Sequence, residues 1–393
     1  MAYPSVDKLQ QALAKDVFHY AKDSKKAAGR ALGTLVELIT FYLLKDWGFE
    51  SSTRIEKGLI EYRNAAISHN VEYTLHPIVE SIKLSIENKP PITAKKILGI
   101  LNKNNQDFLS VSKGHNIKNN YTPVASSLLS TSNTVKNSCL IARDTRSSLI
   151  AVVEDIGKKK INIVVTKQIE KPFAMLECKR VGVEEGMKKG PQTIEKAKQG
   201  AYVARMVSSL QKIRNQNGDL FGVLPLRNDD FRFDRYEKLL EEIIKTKNSD
   251  VYRDFILTIG VVSNHGNWFT SDNPNKELVV LRDAYDWLLF LTDNGIATFI
   301  DELLLNPQRK YLPVRKAFLA SYSGNGKKIK KYGKNQFTKA QINKDADLLL
   351  QEYFRDNREK IKTWLNIITP VNQEIEMLRE QLKTLSAKDW KNL

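Results

Sequence analysis

Apolar positions in the first fifty residues recur every three or four places. In "KDSKKAAGRALGTLVELITFYLLKDWGF", Leu32, Leu35, Leu38, Ile39 and Tyr42 fall on one stripe, which predicts a long amphipathic helix over 22–48 that starts basic and stops at Gly48. The stretch from 50 to 110 reads as mainly helical, punctuated by His76-Pro77 and Pro90-Pro91, and 110–137 reads as a long polar loop rich in asparagine and serine. The period then shortens. "SSLIAVVED", "KKINIVVTKQ" and "FAMLECKRV" are β-branched runs separated by "IGKK" and "IEKP", which predicts an antiparallel meander. A helix follows in "GPQTIEKAKQGAYVARMVSSLQKIR", then an apolar central strand in "DFILTIGVVS" and another helix in "ELVVLRDAYDWLLFLTD". The C-terminal third reads as helical and basic. Thr369-Pro370 is expected to cap a helix in which Ile375, Leu378, Leu382 and Leu385 form a heptad-like stripe, assigned to packing on the body of the protein ahead of a second subunit. These elements predict an α/β (α+β) fold, a mixed sheet flanked by helices. The expected divisions are a helical N-terminal region over 1–134, a core over 135–304 and a basic helical region over 305–393.

Composition narrows the function. Lysine and arginine outnumber aspartate and glutamate by 62 to 45 in 393 residues, a net charge of +17, which favours a polyanionic partner, nucleic acid first. The most apolar window, "TLVELITFYLL", is too short to span a bilayer and contains Glu37, and the N-terminus has no secretory pattern, so a cytoplasmic protein without a membrane partner is expected. The two cysteines, Cys139 and Cys178, and the five histidines have no zinc or disulfide spacing, and no GxxxxGK[ST] loop is present, which argues against zinc hydrolases and ATP-driven chemistry.

The chemistry concentrates at "LECK". Glu177 and Lys179 stand two apart on a strand and share a face, while Cys178 points to the other. A hairpin turning near 169–170 would set Asn162 beside Glu177, and the turn "EDIGKK" would bring Glu154 and Asp155 to the same end.

In these residues the chain resembles the PD-(D/E)xK nucleases, and within them the type II restriction endonucleases. "LECK" matches the E-x-K half of the motif, and "GTLVE" in the first helix matches a G-x-x-x-E pattern that lends a glutamate, here Glu37, to the site. The likeness covers 22–48 and roughly 140–300. It implies a restriction-endonuclease-like core, Mg²⁺ held by Glu177, an acid at position 162 and the carbonyl of Cys178, and Lys179 orienting the attacking water. Asn162 stands where the family has aspartate, so that carboxylate has either been replaced or passed to Asp155 or Glu154. The implied activity is sequence-specific cleavage of double-stranded DNA by a homodimer, with a cognate DNA methyltransferase in the same system. A structure-specific or repair nuclease and a non-catalytic DNA-binding protein are the alternatives. For DNA contact the candidates are Lys327, Lys328, Lys330, Lys331 and Lys334 in a glycine-bearing loop, Asn119 and Asn120 as base readers, and Gln199 and Arg205 on the helix after the motif. His265 in "SNHGNWF" is read as a turn residue.

Overall fold

A computed structural model describes residues 6–18, 23–58, 70–109, 121–181, 191–226, 229–264, 276–322 and 337–390. Helices α1 (Val6–Asp16) and α2 (Ser24–Asp46) lead into strands β1 (Thr53–Gly58) and β2 (Asn70–Leu75). Next come β3 (Ile78–Glu87), β4 (Ile92–Thr93), α3 (Ala94–Asn104), α4 (Gln106–Leu109), β5 (Thr122–Pro123), β6 (Ser127–Leu129), β7 (Thr134–Lys136), β8 (Cys139–Arg143), β9 (Ser147–Ile156) and β10 (Lys160–Ile169). The chain returns through β11 (Ala174–Val181), α5 (Pro191–Val207), β12 (Gln211–Arg214), β13 (Leu220–Pro225), β14 (Phe231–Arg235) and α6 (Tyr236–Lys245). Then follow α7 (Ser249–Tyr252), β15 (Leu257–Asn264), α8 (Lys276–Ala284), β16 (Trp287–Leu291), α9 (Asp293–Ile300) and α10 (Leu312–Tyr322). Strands β17 (Gln341–Asn343) and β18 (Leu365–Thr369), with helices Lys344–Asp356, Arg358–Lys362 and Ile375–Ser386, complete the described chain.

The fold is α+β. A six-stranded mixed sheet, in the order β1-β2-β11-β15-β16-β18, forms its centre, with β11, β15 and β16 parallel to one another. On one face lies α2, whose Leu35, Leu38, Ile39 and Tyr42 share a core with Leu176, Cys178 and Ile259. Against the other face, Ala201, Val203 and Ala204 of α5, Leu281 of α8 and Tyr285 just beyond it pack on Met175, Val181 and Val262. Asp23 caps α2 through its side chain, and Gly48, at φ +88°, turns the chain out of the helix as expected. By length and composition alone α2 suffices to cross a membrane, and 67% of that apolar stretch is buried inside the protein.

Between β2 and β11 the chain builds a second unit. Strands β3-β10-β9-β8-β5 form an antiparallel sheet whose core, including Leu84, Ile161, Ile163 and Val165, lies under Ile97 and Leu101 of α3. A four-stranded sheet, β17-β7-β6-β4, ties this unit to the C-terminal region.

Several expectations are corrected. The described residues of 50–110 are not mainly helical: "NVEYTL" and "IVESIKLSIE" are strands, and their two-residue alternation outweighs the helical residues among them. The loop expected over 110–137 contains β5, β6 and β7. Strands β9 and β10 pair as predicted, but β11 does not continue the meander, because β10 is already paired on both sides, with β9 and β3. The helix expected to run to Arg214 ends at Val207. "ELVVLRDAYDWLLFLTD" divides into α8 and the buried strand β16 at Asp286, whose carboxylate accepts from the Thr258 N–H and hydroxyl at 2.8 and 2.9 Å. Thr369 ends β18, and the last helix begins at Ile375 after Glu374. Its stripe of Ile375, Leu378, Leu382 and Leu385 is buried within the chain, as read. The central sheet draws strands from Thr53 to Thr369, so it extends beyond 135–304 on both sides.

Candidate metal centre at the fork of the central sheet

β11 explains its two charges. Leu176 and Cys178 face the core under α2, whereas Met175 and Val181 face the core under α5 and α8, so Glu177 and Lys179 rise on the α5 side. Glu177 is 1% exposed, and Lys179 Nζ lies 2.6 Å from its Oε1. A buried carboxylate needs such partners. Room for it comes from α5: a Cβ at Gly200 would stand 2.7 Å from Glu177 Cγ and 3.0 Å from the Tyr285 hydroxyl. Burial pulls the Lys179 ammonium down, and Glu177, helped by Glu72, holds Lys179 above its ordinary value.

The ladder between β2 and β11 runs Ala174–Leu75, Met175–Thr74, Leu176–Tyr73 and stops there. One step further, Glu72 meets Glu177, and its backbone N–H donates to Glu177 Oε2 at 3.3 Å. The strands fork at two carboxylates. Burial, and then Glu37, push the Glu72 carboxyl up to about 7 against the opposing pull of Lys339.

Two further glutamates converge on Glu72. Glu37 arrives from α2, which is tied to β2 by the Tyr73 hydroxyl donating to the Glu37 carbonyl at 2.6 Å. Glu56 arrives from β1, across from Glu72 between the pairs Ile55–Tyr73 and Lys57–Val71. Its φ of +53° is a left-handed conformation that a residue with a Cβ adopts at a cost of about 1–3 kcal/mol. Lys339 Nζ sits among them, 3.0 Å from Glu37 Oε2, 3.2 Å from Glu56 Oε1 and in contact with Glu72 Oε2. The Lys339 backbone is held from the second unit, where Asn137 Nδ2 donates to its carbonyl at 2.9 Å. Burial pulls the Lys339 ammonium down, and Glu37 and Glu72 together raise it above its ordinary value.

Glu37, Glu56, Glu72 and Glu177 thus face two ammonium groups. An all-carboxylate donor set suits a hard cation such as Mg²⁺. Among the described residues no group of three or more histidine, cysteine, aspartate or glutamate side chains is placed so that it could hold a metal ion as it stands; Glu37, Glu56 and Glu72 converge on Lys339 instead. The Cys178 thiol faces away, buried 3.5 Å from the Thr40 hydroxyl, and burial raises it well above its ordinary value.

Of the residues expected at the site, the structure pairs Glu177 with Lys179 on the α5 side of the sheet, and it joins Glu37, from α2, to Glu72 through Lys339. It does not bring Asn162, which lies in the second unit's sheet opposite Asp155 and Ser85, beside a bulge. Asp155 is there too, and Glu154 pairs with Lys83. Pairing of 162 with 177 required a β10–β11 hairpin, and those strands belong to different sheets. Gln199 and Arg205 are exposed on α5. Asn119, Asn120, His265, Lys327, Lys328, Lys330, Lys331 and Lys334 lie outside the described residues. The sequence reading missed Glu72, Glu56 and Lys339. Its one available signal for Glu72 was a carboxylate between Val71 and Tyr73, two apolar residues of a short strand. No protein-family model, curated protein or solved structure matches the chain.

Proposed function

We propose that this protein is a Mg²⁺-dependent endonuclease of double-stranded DNA, resembling the PD-(D/E)xK enzymes in its site, with Glu72 in the role expected of position 162. The observation that carries the reading is the fork: Glu72 and Glu177 on adjoining strands, Lys179 two residues beyond Glu177, and Glu37 of α2 joined to Glu72 through Lys339. The +17 net charge supports a phosphate-bearing substrate.

Glu72 and Glu177, with Glu37 or Glu56, would hold the metal, which supplies charge neutralisation at a phosphoryl oxygen and a more acidic bound water. Lys179, fixed by Glu177, places an ammonium at the fork where it can orient a water or meet the negative charge that develops on the phosphate. Glu177 lies directly under Gly200 of α5, where a Cβ would come within 2.7 Å of its Cγ. Cutting both strands of a duplex at a symmetric site calls for two such centres, hence two copies.

The test is cleavage of long duplex DNA with Mg²⁺ by the wild type and by Glu72→Gln, Glu177→Gln, Lys179→Ala and Asn162→Asp. Discrete fragments are expected from the wild type and Asn162→Asp at equal rates. Loss to background is expected for the two glutamate variants, and a drop of roughly 10²–10³ for Lys179→Ala. Normal cutting by Glu72→Gln, or a gain of activity in Asn162→Asp, would return the carboxylate to position 162. Salt-sensitive DNA binding without cutting would favour a non-catalytic protein.

A further inference from the structure

Lys339 belongs to no part of the E-x-K pattern, yet it is the point on which the site's carboxylates converge. Glu37, Glu56 and Glu72 come from three different elements, α2, β1 and β2, and each reaches its Nζ. A side chain only 5% exposed cannot keep an ammonium without such pairing, and here three carboxylates surround a single positive charge. One ammonium leaves that cluster in surplus negative charge, the condition that a divalent cation relieves. The carboxylates stand on the helix and strands of the core, while the Lys339 ammonium ends a four-carbon stem whose rotation would carry it out of the cluster.

We propose that Lys339 is the resident counter-ion of the metal site: its ammonium holds Glu37, Glu56 and Glu72 in place and must be displaced for a divalent ion to bind them. This rests on the metal-site reading above and adds that loading of the site is a cation exchange within the chain. The exchange reaches the second unit. The carbonyl of Lys339 is bonded to Asn137, the Ala340 carbonyl accepts from the Asn137 N–H at 3.0 Å, and β17 pairs with β7 immediately beyond. Release of the ammonium therefore loosens one of the ties between the two units, and by linkage whatever draws Lys339 out of the fork tightens metal binding to the same degree.

The test is titration of the full-length protein with Mn²⁺ in the absence of DNA, free Mn²⁺ being read by electron paramagnetic resonance. The variants are Lys339→Met, which keeps the stem without the charge, and Lys339→Arg, which keeps the charge in a larger group. Lys339→Met is expected to bind Mn²⁺ about 5- to 150-fold more tightly than the wild type. Without metal it should melt below the wild type, and saturating Mn²⁺ should reverse that order. Lys339→Arg is expected to bind more weakly than the wild type, and this comparison stands even if the methionine variant does not fold. Equal or weaker binding by a folded Lys339→Met, with Mn²⁺ bound by the wild type, would overturn the exchange and leave the metal site standing. Absence of Mn²⁺ binding in the wild type and both variants would overturn both.

Discussion

At the scale of single residues, the site turns on how one acid is held. Glu72 is an ordinary glutamate in sequence, and only its opposition to Glu177, 105 positions away, makes it distinctive. No local pattern records that separation. Glu177 and Lys179 were legible because both lie in one strand, where alternation alone assigns them a face. Glu37 was legible only through the resemblance of "GTLVE" to a G-x-x-x-E pattern, the helical period giving no more than its helix. The raised Glu72 carboxyl has a measurable consequence. Because its folded value of about 7 stands above the ordinary 4.5, the folded chain holds a proton that the unfolded chain has released. That contribution to stability is complete below about pH 4.5 and is lost as pH rises through about 7. In chelator, the advantage of wild type over Glu72→Gln in thermal melting is therefore expected to shrink between pH 5 and 8. Metal needs the deprotonated acid, so Mn²⁺ affinity of the wild type should rise over the same window. A melting difference that stays flat with pH would remove the proton from Glu72.

At the scale of elements, the strands were easier to find than their neighbours. β9, β10, β11 and β15 follow from β-branched runs, but which strand lies beside which is decided by hydrogen-bonding partners far away in sequence. β10 satisfies both edges inside the second unit, so β11 crosses to the central sheet, and the expected proximity of Asn162 to Glu177 goes with it. The packing of α5 on β11 is equally specific. The small residue at Gly200 lets the helix approach Glu177, and a methyl there meets Glu177 Cγ at 2.7 Å and the Tyr285 hydroxyl at 3.0 Å. Gly200→Ala is expected to lose about 1–3 kcal/mol in chemical denaturation, since an overpacked core must shift something. Helix propensity favours alanine over glycine by about 1 kcal/mol, so an unchanged or raised midpoint would show that α5 moves aside at little cost.

At the scale of the molecule, the central sheet is one structure written in six strands separated in sequence, from β1 to β18, with a whole β unit set between β2 and β11. A core read over 135–304 with the helix over 22–48 gives no sign of the sheet's strands before and after it, because insertions leave no mark in periodicity. The second unit is joined to the site through Asn137, whose side chain and backbone hold the segment that carries Lys339. Asn137→Ala removes one buried hydrogen bond to the Lys339 carbonyl and should cost about 1–3 kcal/mol of stability. If Lys339 is held at the fork partly from that side, the same change lowers the barrier to its displacement. Mn²⁺ should then bind Asn137→Ala more tightly than the wild type, though by less than Lys339→Met, and the gain should vanish when Asn137→Ala is combined with Lys339→Met. That non-additivity, read by a double-mutant cycle on metal affinity, separates transmission through Lys339 from a general loosening of the fold. Additive effects would mean that the two units meet at the site without acting on each other.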